Sequence, residues 1–344
     1  MAAKKSEEKK KNTKGDDNPE VSFSGVNADG AGSARIKVIG MGGCGRNAVN
    51  RMIDCEISDV TFFAMDTDED ALRQKSKAPN KIYVGKITGG DPVTVLQAAE
   101  ENLQEIKNSI RETDVLIIVA DLGDGVGMGA AILLAKIARE LGILTIGLVT
   151  LPFSFEGEIR KNYAGQWREY LKDYSDAVVV YPLDNLLGCE DVRKDMYGLL
   201  DYCYAFLKDS VQSIKEIVSD TSVINVDFED LKATLSEQGG IFIGFGRGKG
   251  EERVKEAYES AVNNSMLDTS VTGAKRILIR IVGSGNTGLM EYSEIADLIE
   301  QDADEEADCL IGMAIDDTRT DEIKVTIIAA GLPNTENRCK KNDR

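Results

Sequence analysis

The chain has 344 residues, of which 42% are hydrophobic and 29% are charged, and its formal net charge is −18. This length predicts one or two soluble globular domains, and the negative charge argues against general nucleic-acid binding, which needs clustered Lys and Arg. The absence of histidine from the sequence excludes imidazole acid–base chemistry and His metal ligands. No apolar run reaches the roughly 18 residues of a membrane helix, and the first 20 residues do not resemble a secretory signal, so we expect a cytoplasmic protein.

The six cysteines are scattered and form no CxxC pair. This spacing is typical of reduced thiols rather than of a disulfide framework or a zinc site. No metal-binding set of side chains is predicted.

Residues 1–33 are polar and nearly free of large apolar groups, which predicts a disordered tail. Residues 34–195 then alternate between short apolar segments, typical of strands, and segments with helical spacing. Six strands are predicted, at Ile36–Ile39, Val60–Met65, Lys81–Val84, Val115–Ala120, Leu144–Val149 and Ala177–Tyr181. Helices are predicted between them, at Arg46–Ile53, from Pro92 through Ile110, and at Ala130–Leu141. Strands alternating with helices predict an α/β, doubly wound nucleotide-binding domain.

Residues 196–219 carry apolar side chains every three to four positions for about six turns, which predicts one long central helix. The pattern then changes, and residues 220–332 predict a smaller α+β domain joined to the first by this helix. Its four strands are predicted at Ile241–Gly246, Arg276–Val282, Cys309–Ile315 and Lys324–Ala330, with helices at Glu251–Asn264 and Leu289–Ala303. Residues 333–344 form a short basic tail.

The first strand runs into a glycine-rich segment in which Gly40, Gly42 and Gly45 match G-x-G-x-x-G. Such glycines let backbone N–H groups approach a phosphate at a helix N-terminus. Asp66 follows Gly45 by 21 residues, at the end of the second strand. A dinucleotide fold places its ribose-binding carboxylate there, so a Rossmann-type dinucleotide enzyme is one reading. No G-K-[ST] follows, so the segment is not a P-loop.

A second glycine-rich segment, Gly123–Gly129, follows the buried fourth strand and leads into a helix. Its four alternating glycines are more than one tight turn needs. Two such segments after two strands predict one phosphate chain bound from two sides.

Several motifs resemble those of FtsZ, the bacterial and archaeal relative of tubulin. They occur in that family's order and at roughly its spacing, over residues 35–332: Ile39–Val49, Asp66–Asp68, Val149–Gly157 and Asn225–Asp230. The resemblance implies a tubulin/FtsZ-like fold, GTP or GDP as ligand with Mg²⁺ as a possible companion, and a head-to-tail homopolymer as the partner state.

The resemblance also implies roles for individual residues. Phosphates would be bound by the two glycine-rich segments, at Gly42, Gly43, Cys44, Gly45, Asn47, Gly125, Val126 and Gly127. Glu156 would reach the ribose, and Arg160 would lie nearby on the nucleotide. The next subunit of the filament would contribute Asn225, Asp227 and Asp230, whose carboxylates would polarise the attacking water.

The chain departs from the family in the second glycine segment, where the family has G-G-G-T-G-T-G. In this chain Asp124 replaces a glycine of that motif, and Val126 and Met128 replace its two threonines. Two hydroxyl donors are therefore lost and one carboxylate is gained. Like charges about 4 Å apart repel by about 1 kcal/mol in water and by several in a partly dry site. The usually long loop after the third strand is reduced to residues 88–92.

Further departures lie near the expected base. Leu183 replaces an asparagine. An ungapped count back from Asn225 puts Leu200 where the family has a base-stacking aromatic residue. The same count puts Ala205 where the family has an aspartate that reads guanine. A small shift in register would bring Asp201, Tyr202 or Tyr204 there instead.

The segment after the last predicted strand is basic and has no apolar docking motif, so the family's usual C-terminal anchor-binding peptide is expected to be absent. Three readings follow. The first is an FtsZ-like cytoskeletal filament protein, acting in cell division or a related process, with weak, altered or absent GTP use, which includes a nucleotide-free protein. The second is a working GTP-dependent FtsZ-type GTPase, and the third is the dinucleotide enzyme.

Overall fold

The structure is a computed structural model that describes residues 34–87, 90–189, 192–219, 223–236, 240–263, 266–267 and 269–333. The predicted N-terminal tail, residues 334–344 of the predicted basic tail, and Thr88 and Gly89 of the shortened loop lie outside the described residues. Within the described ranges, no helix combines the length and the apolarity that a membrane crossing requires.

The first domain is built on a parallel six-stranded sheet. Its strands are β1 (Ile36–Met41), β2 (Val60–Asp66), β3 (Asn80–Tyr83), β4 (Val115–Asp121), β5 (Leu144–Leu151) and β6 (Ala177–Pro182). Their order is β3-β2-β1-β4-β5-β6, with every neighbouring pair parallel. From β1 the chain therefore adds β2 and β3 on one side. It then crosses to the other side of β1, where it adds β4, β5 and β6. This switch between β1 and β4 is where ligands bind in open parallel sheets.

In the described part of this domain, seven helices accompany the sheet: α1 (Gly42–Asp54), α2 (Glu69–Lys75), α3 (Pro92–Glu101), α4 (Leu103–Ser109), α5 (Gly125–Glu140), α6 (Glu158–Tyr174) and α7 (Asn185–Gly188). The central strands β4 and β5 are buried on both faces, which agrees with their largely apolar sequences. The predicted doubly wound α/β fold is confirmed.

The three helices predicted in this domain have different limits in the structure, and α2, α6 and α7 were not predicted. α1 and α5 begin at Gly42 and Gly125, inside the glycine-rich segments and not after them. The helix predicted from Pro92 through Ile110 is interrupted at Asn102. The Asn102 Nδ2 donates to the carbonyls of Val84 at 2.7 Å and Ala98 at 3.1 Å, so a side chain that bonds to backbone interrupts an otherwise helical pattern.

The long helix α8 (Met196–Ser219) joins this domain to a second sheet. That sheet contains β7 (Gly240–Lys249), β8 (Arg276–Gly283), β9 (Asp308–Ile315) and β10 (Glu322–Leu332), in the order β7-β10-β8-β9. β10 is antiparallel to β7 and β8, whereas β8 and β9 are parallel. The accompanying helices are α9 (Phe228–Leu235), α10 (Arg253–Val262) and α11 (Leu289–Asp302). The predicted central helix and α+β fold are confirmed.

A buried ion group connects α8 to the second sheet. The Glu216 carboxylate on α8 accepts from the Lys324 Nζ on β10 at 2.6 Å, and the Arg280 guanidinium on β8 lies 3.5 Å away. Burial lowers the pKa of Lys324, and the facing Glu216 carboxylate opposes that shift. Burial works to raise the pKa of Glu216, but Lys324 and Arg280 hold it below its usual value. Glu216 thus neutralises the buried Lys324 ammonium and also attracts the Arg280 guanidinium.

We predict that Glu216→Ala lowers the free energy of unfolding by about 3 kcal/mol, because the lysine and arginine side chains remain buried without their shared carboxylate. Urea unfolding followed by circular dichroism measures the change. The matched control is Glu259→Ala, which removes the carboxylate of an exposed pair with Lys255 at 3.9 Å and should cost less than about 0.5 kcal/mol. Equal losses in the two variants would contradict the role of the ion group.

Candidate functional site

A cavity of about 430 Å³ lies at the switch point, outside the carboxyl ends of β1 and β4. Four of the predicted phosphate and nucleotide residues line it, namely Gly43, Cys44, Val126 and Arg160. The described part of its wall does not include the other predicted binding residues Gly42, Gly45, Asn47, Gly125, Gly127 and Glu156. The two glycine segments therefore meet at one site, but only some of their residues face its open space.

Backbone packing accounts for most of the remaining glycines. A Cβ on Gly45 would lie 2.3 Å from the Val119 carbonyl oxygen of β4, so the glycine lets α1 approach the sheet. In the same way, a Cβ on Gly127 would lie 2.2 Å from the Asp121 carbonyl oxygen. Cβ atoms on Gly125 and Gly129 would meet the carbonyl oxygens of Gly90 and Pro92 at 2.1 and 2.2 Å. These alternating glycines let α5 pack closely against β4 and α3.

Gly42 has a different neighbour. Its φ is +61°, and a Cβ there would lie only 2.1 Å from the Asp124 Oδ2. The carboxylate gained in the second glycine segment therefore lies directly against the first glycine segment. An anionic side chain therefore stands beside the segment that the sequence predicts to bind phosphates.

Arg46 and Asp66 form a buried ion pair at the rim of this cavity. The Arg46 Nη1 lies 2.5 Å from the Asp66 Oδ2, and both side chains are less than a tenth exposed. The Asp66 Oδ1 accepts from the backbone N–H groups of Thr67 at 2.8 Å and Asp68 at 3.2 Å. Both oxygens of the carboxylate are thus engaged within the chain. This arrangement argues against the dinucleotide reading, in which Asp66 would accept from a ribose.

Two further carboxyl groups of the site, those of Asp121 and Asp124, have raised pKa values. Burial raises the pKa of Asp121 to about 6, although its carboxylate accepts from the Thr150 Oγ1 at 2.9 Å and the Gly123 N–H at 3.2 Å. Burial also raises the pKa of Asp124, with the Asp66 carboxylate adding to the effect. The amides of Val126 and Gly125 and the Arg160 guanidinium act in the opposite direction. The site is therefore rich in negative charge that the surrounding protein stabilises poorly.

Glu156 and Arg160 pair with each other. The Glu156 Oε2 accepts from the Arg160 Nη1 at 2.5 Å, and its Oε1 accepts from the Phe153 N–H at 2.9 Å. Arg160 lines the cavity, whereas Glu156 closes the short 3₁₀ turn at residues 154–156. Next to this turn, the Asp184 carboxylate accepts from the Ser154 N–H at 2.8 Å.

Helix α8 presents Tyr204 to the first glycine segment. The Tyr204 hydroxyl interacts with the Asn47 side chain and the Cys44 thiol. Burial raises the pKa of Cys44 to about 12, and the Asp121 carboxylate adds to that shift, so the thiol stays protonated. Ala205, the residue that the ungapped count puts at a guanine-reading position, lines a different cleft, between α8 and β7. Tyr204, which a small shift in register would bring there instead, is the side chain that lies at the first glycine segment.

The predicted catalytic residues belong to the start of α9 in the second domain. The Asp227 Oδ1 accepts from the N–H groups of Glu229 at 2.9 Å and Asp230 at 3.1 Å, and the Asp230 Oδ2 accepts from the Asp227 N–H at 3.0 Å. The two carboxylates therefore cap the helix reciprocally. Asn225 and Asp227 are exposed, and none of the three predicted residues lines the cavity at the switch point.

Sequence reasoning missed Arg46, which is only 7% exposed. The sequence did contain a signal for this residue, because a charged side chain directly follows the glycines of the first glycine-rich segment. Its counter-ion could not be identified, because Asp66 is 20 positions away and meets it only through the parallel pairing of β1 with β2.

We predict that Asp121→Asn stabilises the protein more at pH 8 than at pH 5. The folded-state pKa near 6 lies above the usual 3.8, so Asp121 contributes stability when protonated, and that contribution is lost as the pH rises through 6. Asparagine keeps an acceptor for Thr150 without the charge. The gain in unfolding free energy should be about 1 kcal/mol larger at pH 8, as measured by urea titrations of both proteins at each pH. A gain that does not depend on pH would show that Asp121 is not the titrating group.

Comparison with known proteins agrees with this fold. Residues 35–191 match the family described as Tubulin/FtsZ family, GTPase domain, and residues 239–333 match FtsZ family, C-terminal domain. A solved structure titled as an empty FtsZ dimer from M. jannaschii is similar at 32% identity, with 87% of this chain and 89% of that chain covered and a TM-score of 0.78.

Two more distant structures share the fold. CetZ1 from Haloferax volcanii, a GDP-bound monomer, has 20% identity and a TM-score of 0.75 over 89% of this chain and 97% of that chain. CetZ from Methanosaeta thermophila has 16% identity and a TM-score of 0.72 over 87% of each. With both domains matched in order and the FtsZ likeness extending over nearly the whole described chain, this protein is an FtsZ-like member of the Tubulin/FtsZ family.

Proposed function

We propose that this chain is a cytoskeletal filament protein of the FtsZ type, which assembles head to tail and binds and hydrolyses GTP weakly or not at all. It acts in the cytoplasm, in cell division or a related process. The observation that carries the proposal is the Asp124 carboxylate against Gly42. The family fold is intact, but the place where phosphates would approach the first glycine segment is next to a fixed negative charge.

The energetic consequence follows from Coulomb's law. A phosphate near Gly42 would face Asp124, and two like charges about 4 Å apart repel by about 1 kcal/mol in water and several in a partly dry site. Asp124 is mostly buried, and Asp66 and Asp121 lie in the same cavity wall. A polyphosphate beside Gly42 therefore meets repulsion from Asp124, which Arg160 and the amides of Gly125 and Val126 offset only in part, unless a cation such as Mg²⁺ accompanies it.

Two exposed apolar surfaces support head-to-tail assembly. The first lies on the nucleotide-binding domain after β5 and β6 and comprises Phe155, Ile159, Tyr163 and Leu187. The second lies on the smaller domain, near the carboxyl ends of β8 and β9, and comprises Val223, Ile224, Leu289, Met290 and Ile315. A heterologous interface joins two different patches of the same chain, and exposed apolar clusters of this kind mark contact surfaces.

The second surface is continuous with the proposed catalytic segment. Ile224 pairs with Met313 of β9 through reciprocal backbone hydrogen bonds of 3.1 and 2.9 Å. These bonds hold the chain immediately before Asn225, Asp227 and Asp230. In the proposed filament, this segment caps the cavity of the next subunit, where the carboxylates polarise water if any GTP is hydrolysed.

The decisive experiment compares assembly with and without nucleotide. We expect negative-stain microscopy of the purified protein to show filaments in nucleotide-free buffer, and titration calorimetry to give weak or undetectable GTP and GDP binding. Because assembly rests on the apolar surfaces, added GTP with Mg²⁺ should change filament mass little. Strict GTP dependence with brisk turnover would favour the working GTPase instead.

We further predict that Met290→Glu abolishes filaments, because it places a charge in the second apolar surface, at a side chain that is 80% exposed. The monomer fold should be unaffected, since an exposed side chain contributes little to stability. Sedimentation and microscopy measure assembly, and circular dichroism checks the fold.

The matched control is Leu103→Glu, which charges an exposed leucine of α4 outside both surfaces. It should assemble like the wild type. Filaments of normal length from Met290→Glu would exclude the second surface from the longitudinal contact.

A further inference from the structure

Strand β9 forms one edge of the second sheet, and the part of that edge at residues 308–311, here called the open edge, has no backbone partner among the described residues. On its inner side β9 pairs with β8 along its whole length. On its outer side Met313 exchanges two backbone hydrogen bonds with Ile224. Alternate residues of a strand direct their N–H and C=O groups to the same side, so those of Cys309 and Ile311 also point outward.

The composition of β9 makes an uncovered edge a liability. The seven residues Cys309–Ile315 contain no charged side chain and no proline, and their pairing with β8 contains no bulge. Natural sheets protect their edges with charges, prolines, bulges or a covering segment, because unpaired backbone groups recruit other chains. Since β9 has none of the first three devices beyond Asp308, we expect a covering segment at the open edge.

The connection that leads into β9 is strongly acidic. Residues 302–308 contain five carboxylates and no cation. Asp304, Glu305 and Glu306 are exposed, and within the described ranges no cation pairs with them. Only Asp308, the first residue of β9, has an ion pair on this sheet, with Arg276 of β8 at 2.9 Å. The amino end of the open edge therefore favours a basic segment.

The described chain ends beside this acidic connection. The Pro333 ring lies 3.5 Å from the position that a Cβ of Gly273 would take, and the Gly273 N–H donates to the Asp302 carbonyl at 3.0 Å. Residues 334–344, which follow Pro333, contain two carboxylates and four cations, Arg338, Lys340, Lys341 and Arg344. A basic segment thus begins next to the acidic connection.

The spacing of the sheet brings the open edge within reach of this basic segment. Only β8 separates β10 from β9, so a strand added beyond β9 would lie three strand spacings, about 14 Å, from β10. Five extended residues span about 16 Å, which is the length of residues 334–338.

We propose that residues 338–344 bind the open edge of β9 as an added strand within the same chain. The added strand lies parallel to β9, because it enters from the amino end of that strand. Its backbone bonds to Cys309 and Ile311, as in other cases of strand addition to a sheet edge, and its cations lie beside Asp304, Glu305 and Glu306. This contact does not depend on nucleotide.

Two native cysteines report the proposed contact. Cys339 comes level with Cys309 of β9, so oxidation of the purified full chain with copper phenanthroline should join these two thiols within one chain. Non-reducing peptide mapping of the monomer band identifies the bond. The control is Cys55, an exposed cysteine at the end of α1, whose bond to Cys339 should form in at least about tenfold lower yield.

Hydrogen exchange tests the backbone bonds directly, at a protein concentration at which sedimentation shows monomers. The amides of Cys309 and Ile311 should exchange at least about tenfold more slowly in the full chain than in the double variant Lys340→Glu with Lys341→Glu. That variant brings carboxylates to the acidic connection, where like charges repel. The matched control is Lys249→Glu with Lys255→Glu, which makes the same change of charge at exposed lysines of β7 and α10 and should preserve the protection.

A charge exchange completes the test. Adding Glu305→Lys and Glu306→Lys to Lys340→Glu and Lys341→Glu should restore slow exchange at Cys309 and Ile311, because the two segments again have opposite charges. A thermal unfolding curve of each variant confirms that it is folded. Restored protection excludes a general loosening of the sheet as the cause of the faster exchange.

Three outcomes overturn the inference. The first is exchange at Cys309 and Ile311 that is equally fast in the full chain and in the Lys340→Glu, Lys341→Glu variant. The second is an equal loss of protection in the Lys249→Glu, Lys255→Glu control. The third is a bond between Cys309 and Cys339 that joins two chains instead of one, which would identify a second copy as the partner of the open edge.

Discussion

The close approach of two helix N-termini at the switch point of the parallel sheet is the constraint on which the rest of this structure depends. α1 begins directly after β1, and only a short turn separates β4 from α5. Both helices press against backbone carbonyls, at Val119 and Asp121, where any side chain beyond glycine would clash. The glycines are therefore required by packing, whether or not a ligand is present. The two helix dipoles consequently converge on one cavity.

The converging helix dipoles favour negative charge at the cavity, and carboxylates of the chain itself supply that charge. Asp124 lies at the junction of the two glycine segments, and burial raises its pKa. Asp66 is held by Arg46, and Asp121 is held by Thr150 and the Gly123 amide. The same elements that shape a phosphate cradle in this fold thus surround carboxylates here. Under the proposed function, these carboxylates are what disfavours a polyphosphate at this site.

In the second domain, an ion group and a backbone bridge position an exposed segment. Glu216 fixes α8 to β10 and β8 through buried cations, and Ile224 fixes the following segment to β9. These contacts leave Asn225 and Asp227 exposed beside an apolar surface. Their reciprocal capping with Asp230 gives the segment a defined shape. Both features suit a surface that meets another subunit, which is the basis of the proposed filament.

The sequence by itself determined the doubly wound α/β class and the central helix, because buried parallel strands are largely apolar and α8 repeats its apolar side chains every three to four residues. The family was indicated by a different signal, namely the resemblance of its motifs to those of FtsZ. It also identified Asp124 as an added carboxylate. Only the tertiary structure decided that this carboxylate lies against Gly42, that Arg46 pairs with Asp66, and that Tyr204, not Ala205, reaches the first glycine segment. Those contacts join residues 20 to about 160 positions apart, and their partners follow from strand pairing and helix rotation. Local pattern contains no information on either, because it records which face of an element is apolar but not what will be packed against it.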